Sequence, residues 1–577
     1  MSGIAGLMTT RRGGPDPATL AAMTAALRHR GAGESDRYVV GNVGMAQNGP
    51  AAAEPATDGR LIVDASGAAL IADGAVHGAD WKSSLHRYRR EGIGFIAYLR
   101  GMYALALHDP RAGHLVLARD PFGIKPLYYA ESDEGIAFAS QPRALIAAGF
   151  AKSLLDPSVR AELLELQFTT RGDTIYPGIK RLLPGETVVV ADGRIVERQR
   201  RAALPADGPA DWSEADALAR VEAALMESVR LAQHDAAPWG VFLSGGIGSS
   251  VLATLAARVG AHPMTTLAAY FPGGPDAEDR AVAASVARTI GAEHIEVPVD
   301  ARMFWSLLPR VAEAMDDPAA DYACVPAYAL AERARAAGLK TVLSWEGADE
   351  LFAGHGRYRS LVRPWWLGGR AMRRKGIFEG LGVLRERSVG WRDGIAAAEA
   401  TERVGGRSRL QVAQAVDCAD WLSNDPLAKL DRCLMANGIE GRAPFLDPAV
   451  AAVAFRLPDR LKVRDRKGKW LLRKWLQQAM PQADAFARRR GTAMPVAAWI
   501  AAEGARLGPL VAAQPGVAEL ADPDAVVKLF RNPRKHAALA AWTLMFYALW
   551  HQLHVLGRAC EGDAFDCLAT TMERTAA

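Results

Sequence analysis

The stretch Val241–Ser250, VFLSGGIGSS, runs an apolar segment into a glycine–serine loop and then into the helical pattern VLATLAARV. A strand that hands such a loop to a helix start aims bare backbone N–H groups at one point, with the helix dipole behind them, and that geometry suits a pyrophosphate. The hydroxyls of Ser244, Ser249 and Ser250 flank Gly245 and Gly246. The pattern G-x-x-x-x-G-K-S/T does not occur, so this is not the phosphate loop of kinases and GTPases. The same residues could also form an ordinary strand–turn–helix corner. A second chemical stretch, TVLSWEGADE, places the carboxylates Glu346, Asp349 and Glu350 after a short apolar run. At the C-terminal end of a strand, carboxylates can hold Mg2+ and face a reacting phosphate.

The elements around these residues set where they can meet. A helix over Ala215–Gln233 leads to the VFLSGG strand, followed by a helix, TTLAAYF, a helix over Asp279–Ile290, HIEVPVD, a helical stretch and TVLSWEG. Strands alternating with helices predict a doubly wound parallel sheet with ligands at the strand C-terminal ends. The first 200 residues read differently. LIVDASGAALIADG, MYALALHD, HLVLARD, LYYAES, GIAFAS and ETVVVADGRIVERQ are short apolar runs punctuated by Gly, Asp and Pro, as in packed antiparallel sheets. The Pro/Ala/Gly-rich segment 201–211, RAALPADGPAD, is the expected linker between a domain over 1–200 and one over 212–577. From about Leu361 the pattern is mainly helical.

Composition narrows the class. Half the residues are hydrophobic and 23% charged, which describes a globular protein with ample core. A net charge of +5 is small for 577 residues; it suits anionic ligands such as ATP better than a nucleic-acid surface. The basic clusters Arg488–Arg490 and Arg373–Lys375 read as solvated faces. Five scattered cysteines without C-x-x-C spacing argue against a disulfide framework or a zinc site and fit a reducing compartment. No signal peptide and no apolar run of about 18 residues is visible. HAALAAWTLMFYALWHQLHVLG is expected to be a buried helix, and the protein cytoplasmic, with no nucleic-acid or membrane partner.

Several motifs in order resemble the asparagine synthetase B family across nearly the whole chain. MSGIAG, HRG at His29–Gly31, RGMYALALHD and LARDPFGIKPLYYA are similar to its class II glutamine amidotransferase domain. SGGIGSS, SWEGADELFAGHGRY, GIEGRAPFLD, RKGKWLLR and LAAWTLMFYALWHQL are similar to its synthetase domain. The resemblance implies an N-terminal nucleophile-type αββα sandwich followed by an adenine-nucleotide α-hydrolase-like domain with a helical C-terminal part. It implies ATP and Mg2+ as cofactors, cleavage of ATP to AMP and pyrophosphate, and an acyl adenylate that an amine attacks. Leu243, Ser244, Gly245, Gly246, Ser249, Ser250 and Gly347 would then bind ATP and pyrophosphate, and Asp349 the metal. Glu346 would handle the amine as base or positioning group. Lys469 would stabilise charge on the departing pyrophosphate, helped electrostatically by Arg466 and Lys467; a snorkelling surface lysine is the alternative.

The chain also departs from the family. Ser2 stands where the glutaminase uses an N-terminal cysteine. The family's Asn-Gly-Glu reads Asp73-Gly74-Ala75, so an oxyanion donor becomes an acceptor and a substrate-binding carboxylate is lost. Gly-Met-Ala-Gln at Gly44–Gln47 replaces the expected Arg-Leu pair, and Trp81–Ser84 stands near the place of a missing Asp-Thr-Glu. These parts act as a unit, so the domain is expected to be retained as structure without glutamine hydrolysis. In the synthetase half, Gly248 replaces the metal-binding aspartate of SGGxDS, and Trp345 replaces the glycine of SGEGADE. Trp345 either caps the acceptor pocket or is a core residue; Trp470 and the TLMFYALW helix are expected in the core. The pattern is similar to β-lactam synthetases and lasso-peptide cyclases, whose amine is already on the substrate. A peptide macrolactam cyclase, with a precursor peptide and leader-peptide protease as partners, is the leading reading. An asparagine synthetase using ammonia or glutamine and a nucleotide-binding pseudoenzyme are the alternatives.

Overall fold

The computed structural model describes residues 2–10, 13–31, 33–49, 61–78, 80–233, 238–260, 264–274, 276–363, 372–487, 494–531 and 535–575. The basic cluster Arg488–Arg490 lies outside them. Two six-stranded antiparallel sheets form the N-terminal part. One runs in the order Ile179–Arg181, Tyr128–Ser132, Gly135–Ala139, Gly3–Thr9, Val43–Asn48, Ser35–Val40. The other runs Arg194–Arg200, Glu186–Ala191, His114–Arg119, Gly101–Asp109, Ala69–Val76, Ile62–Val63. Because side chains alternate across a strand, each sheet sends one set inward, and Ile4, Met45, Ile71, Leu117 and Phe138 meet in a shared core. The outer faces are covered by helices. Pro17–Ala26, started by Asp16 as N-cap with Pro17 behind it, covers the first sheet. Trp81–Glu91, opened by a capping box between Asp80 and Ser83, covers the second and buries Trp81 and Leu85. The expected αββα sandwich is present.

After the extended segment that follows Arg200, the helix Glu214–Ala232 opens the second part. Its five-stranded sheet is parallel throughout, in the order Glu293–Pro298, Thr265–Tyr270, Trp239–Phe242, Thr341–Leu343, Glu440–Arg442. The chain fills one side of Trp239–Phe242 first and then crosses to Thr341–Leu343 on the other. The strand order therefore reverses between these two strands, which opens a crevice at their C-terminal ends. VFLSGG and VLSWEG leave the sheet at that crevice, with Val241 in register with Leu343. Apolar clusters cover both faces, Phe242 and Leu267 on one, Val241 and Leu343 on the other.

Three details go beyond the sequence reading. Glu440–Arg442, in the region expected to be mainly helical, adds the fifth strand; three residues carry no readable period. The run LIVDASGAALIADG is a hairpin of Ile62–Val63 and Ala69–Val76, in keeping with strands punctuated by turns. Cys560 and Cys567 are paired as one local disulfide, while Cys324, Cys418 and Cys433 are free and buried; a single bridge across a short loop leaves no framework spacing. The helix Lys535–His554 is buried as expected, Trp550 donating to the Met315 carbonyl. Among the described residues no helix is long and apolar enough to cross a membrane.

Candidate active site

The loop after Trp239–Phe242 turns through Gly245 at φ +79°, where a Cβ would lie 2.0 Å from the Asp279 carbonyl oxygen, so only glycine fits. Gly246 then caps the helix Ile247–Val259. Ser244 and Ser249 bring their hydroxyls within 3.1 Å of each other at that helix start. Ser250 is buried and its hydroxyl has no hydrogen-bond partner among the described residues. Across the crevice, Gly347 takes φ +88° against Leu446 and begins the short helix Ala348–Leu351, which carries Asp349 and Glu350. Lys469 arrives from the start of the helix Trp470–Ala479 with φ +55°, its amide donating to the Phe352 carbonyl at 3.0 Å. Its ammonium donates to Asp349 Oδ2 at 2.7 Å.

Most of these groups share one cavity of about 1140 Å³, larger than a ligand pocket usually is. Ser244, Gly246, Ser249, Glu346, Gly347, Asp349 and Lys469 line it, with Arg466 and Lys467 alongside. Leu243, Gly245 and Ser250 do not reach its wall; Leu243 and Ser250 are buried behind the loop they shape. Burial drives the Glu346 carboxyl up to about 8, with Glu350 and Asp349 adding to a rise that Lys429 opposes. Burial would raise Asp349 too, but Lys469, then His355 and Arg357, outweigh it and hold that carboxyl below its ordinary range. The arrangement offers a donor cradle for phosphate, a fixed ammonium beside it, and a carboxyl that keeps its proton near neutral pH.

The residues fit a protein-held Mg2+ poorly. Gly248 offers no ligand, Asp349 is already engaged by Lys469, and among the described residues no group of three His, Cys, Asp or Glu could hold a metal ion. Mg2+ is normally carried by one or two carboxylates together with substrate phosphates and water.

In the N-terminal part, the degenerate glutaminase positions meet as well. Ser2, buried, donates its hydroxyl to the Ala72 carbonyl at 3.0 Å, and Gln47 donates to the same oxygen at 2.8 Å. Asp73, fully buried, accepts from Arg30 at 2.7 Å. Arg30 also forks onto Asp431 of the second part at 2.6 and 2.9 Å. Gly74, at φ +100°, could not carry a Cβ without meeting the Met102 carbonyl at 2.1 Å, and Ala75 follows in the same strand. The position that the resemblance assigns to an oxyanion donor thus holds a carboxylate locked in an ion pair.

Sequence reasoning missed several neighbours. His355 lies 2.8 Å from Glu350 Oε1 and edges onto Trp421. Gln414 donates to the Glu350 and Leu351 carbonyls and accepts from buried Lys462. Lys429 pairs with Asp321. His355 directly follows the carboxylate motif and could have been noticed; Gln414 and Lys462 lie far along the chain with no motif to mark them. Trp345 lines the cavity and packs against both apolar clusters. Trp470 is core.

Comparison with known proteins agrees with this two-part layout. Residues 220–552 match the family model described as asparagine synthase, and residues 1–200 the glutamine amidotransferase domain. A Mycobacterium tuberculosis (strain ATCC 25618 / H37Rv) protein named for glutamine-hydrolysing asparagine synthetase is 31% identical over 541 residues, covering 85% of this chain and 81% of that one. Glutamine-hydrolysing asparagine synthetase 1 of Bacillus subtilis (strain 168) is 28% identical over 83% of this chain and 81% of its own. Asparagine synthetase B of Escherichia coli (strain K12) is 24% identical over 71% and 64%.

Proposed function

The chain belongs to the asparagine synthase family and is a carbon–nitrogen ligase; we propose that it adenylates a carboxylate with ATP and passes it to an amine not drawn from glutamine. In the first step a carboxylate oxygen attacks the α-phosphorus of ATP and pyrophosphate leaves. The Ser244–Ser249 loop cradles the departing group, and Lys469 neutralises charge that grows on it. In the second step an amine nitrogen attacks the acyl carbon, AMP leaves with the C–O bond electrons, and the amine's extra proton must be accepted. Glu346 is placed for that role, or for holding the amine.

The observation that carries the reading is the contrast between the two parts. The synthetase cavity is large and lined by Ser244, Ser249, Glu346, Asp349 and Lys469, whereas Ser2 and Asp73 are buried in hydrogen bonds and ion pairs. An oxyanion donor is worth about 3 kcal/mol of barrier, and its replacement by a paired carboxylate removes it. The amine therefore comes with a substrate. We favour a lactam former, of the lasso-peptide cyclase type, acting on a peptide whose Asp or Glu side chain meets its own N-terminal amine. The cavity's size and its Tyr322, Trp345 and Trp421 walls support a substrate larger than free aspartate.

ATP–pyrophosphate exchange with a panel of carboxylates, including aspartate, glutamate and acidic peptides, tests it. Exchange that needs a peptide carboxylate and disappears in Lys469→Ala supports the proposal. Exchange with aspartate followed by asparagine formation from ammonia would return the chain to asparagine synthesis, and no exchange with any carboxylate would make it a pseudoenzyme.

A further inference from the structure

Gly248 stands on the first turn of the helix Ile247–Val259, facing the cavity, and its surroundings are closed in a particular way. A Cβ built there would lie 3.1 Å from Ala348 Cβ, 3.3 Å from Trp345 Cβ and 3.3 Å from Lys469 Nζ. Two of these neighbours are fixed close to the backbone and cannot swing away. The third is an ammonium held 2.7 Å from Asp349 Oδ2. Thus the space above Gly248, where a second carboxylate would project, is narrowed by the Trp345 and Ala348 side chains and reached by a cation. Gly354 tightens the same spot, since a Cβ there would lie 2.0 Å from Asp349 Oδ1 and 2.4 Å from Lys469 Cε. The lysine and the aspartate are therefore packed as a pair, with glycine required beside them.

We propose that the Lys469 ammonium takes the place of a protein-anchored divalent cation in this site, neutralising Asp349 and meeting the nucleotide phosphates itself. The inference rests on the ligase reading above. Its physical basis is charge and room. A divalent ion needs several oxygen ligands from protein, phosphate or water. The carboxylate packed beside Gly248 and Gly354 is Asp349, and it already has a cation at hydrogen-bond distance. Arg466, Lys467 and Arg473 line the same cavity and add positive charge that a polyphosphate needs. Any Mg2+ present would then travel on the nucleotide and leave with pyrophosphate.

Two measurements on the full chain test this. Mn2+ binding without nucleotide is read by electron paramagnetic resonance, and binding of α,β-methylene-ATP is read by titration calorimetry in Mg2+ and in EDTA. The wild type should show no stoichiometric Mn2+ site, and EDTA should weaken its nucleotide binding by no more than about threefold. Lys469→Gln should lose on the order of tenfold in nucleotide affinity in both buffers. Gly248→Asp combined with Trp345→Gly should create a Mn2+ site and make nucleotide binding metal-dependent; the wild-type and Lys469→Gln measurements decide the matter even if that pair fails to fold. A stoichiometric Mn2+ site in the wild type, or a wild-type nucleotide affinity that collapses in EDTA, would overturn the proposal and leave the ligase reading intact. Absence of nucleotide binding in both buffers would overturn the two together.

Discussion

Lys469 reaches its partner by an unfavourable backbone route. Its φ of +55° is one that a non-glycine residue adopts at a cost of about 1–3 kcal/mol, and folding retains it because the surrounding packing over-determines it. Such strain has a use only if the ammonium must stand where it stands. Lys469→Ala should therefore reduce adenylation by a factor on the order of 10²–10³, measured as pyrophosphate exchange, with the fold unchanged by circular dichroism. Glu346 makes a different prediction. Its carboxyl holds its proton up to about pH 8, so it cannot accept the amine's proton well below that value. The rate of amide formation should rise with pH through about 8, and Glu346→Gln should flatten that rise. A rise that persists unchanged in the variant would remove Glu346 from proton transfer. The loop glycines and serines were legible from the chain because a backbone cradle has few sequence solutions. The lysine–aspartate contact was not, since the two residues are 120 positions apart and only folding brings them together.

At the scale of elements, the helix carrying Asp349 is only four residues long and cannot hold itself. Its terminal carbonyls are held instead by Gln414, which donates to Leu351 at 2.9 Å and to Glu350, and which is itself held by Lys462 at 2.8 Å. Gln414→Leu leaves buried carbonyls unsatisfied and should cost about 1–3 kcal/mol of stability, seen in denaturant unfolding. It should also lower kcat more than it raises KM, because the helix moves while the cavity walls remain. An unchanged kcat would mean that the helix is positioned from elsewhere. Strand–helix alternation was visible in the sequence because each long element carries its own period, whereas the order of the strands in the sheet was not. The Glu440–Arg442 strand was not visible either, being too short at three residues to display its alternation and defined only by its neighbour Thr341–Leu343.

For the whole molecule, the two parts are joined by buried charge. Arg30 of the sandwich pairs with Asp73 in its own domain and Asp431 in the other, and Lys125 lies 3.9 and 3.7 Å from the same two carboxylates. Burial would raise the Asp431 carboxyl, yet Arg30 and then Lys125 hold it well below the usual range. Removing one partner leaves an uncompensated buried charge, so Asp431→Ala should cost about 3–5 kcal/mol and lower the melting temperature of both parts together. That Asp73 would close on Arg30 could not be read from the chain, although the loss of a glutaminase donor at that position could. On the function proposed above, the N-terminal domain persists as a partner for the synthetase rather than as a source of ammonia. The most direct test of that claim is glutamate release from glutamine by the full chain, compared with Ser2→Ala, under conditions in which the protein forms AMP from ATP. No release above background is expected, and no difference between the two proteins. Glutamate release that keeps pace with AMP formation and vanishes in Ser2→Ala would contradict it.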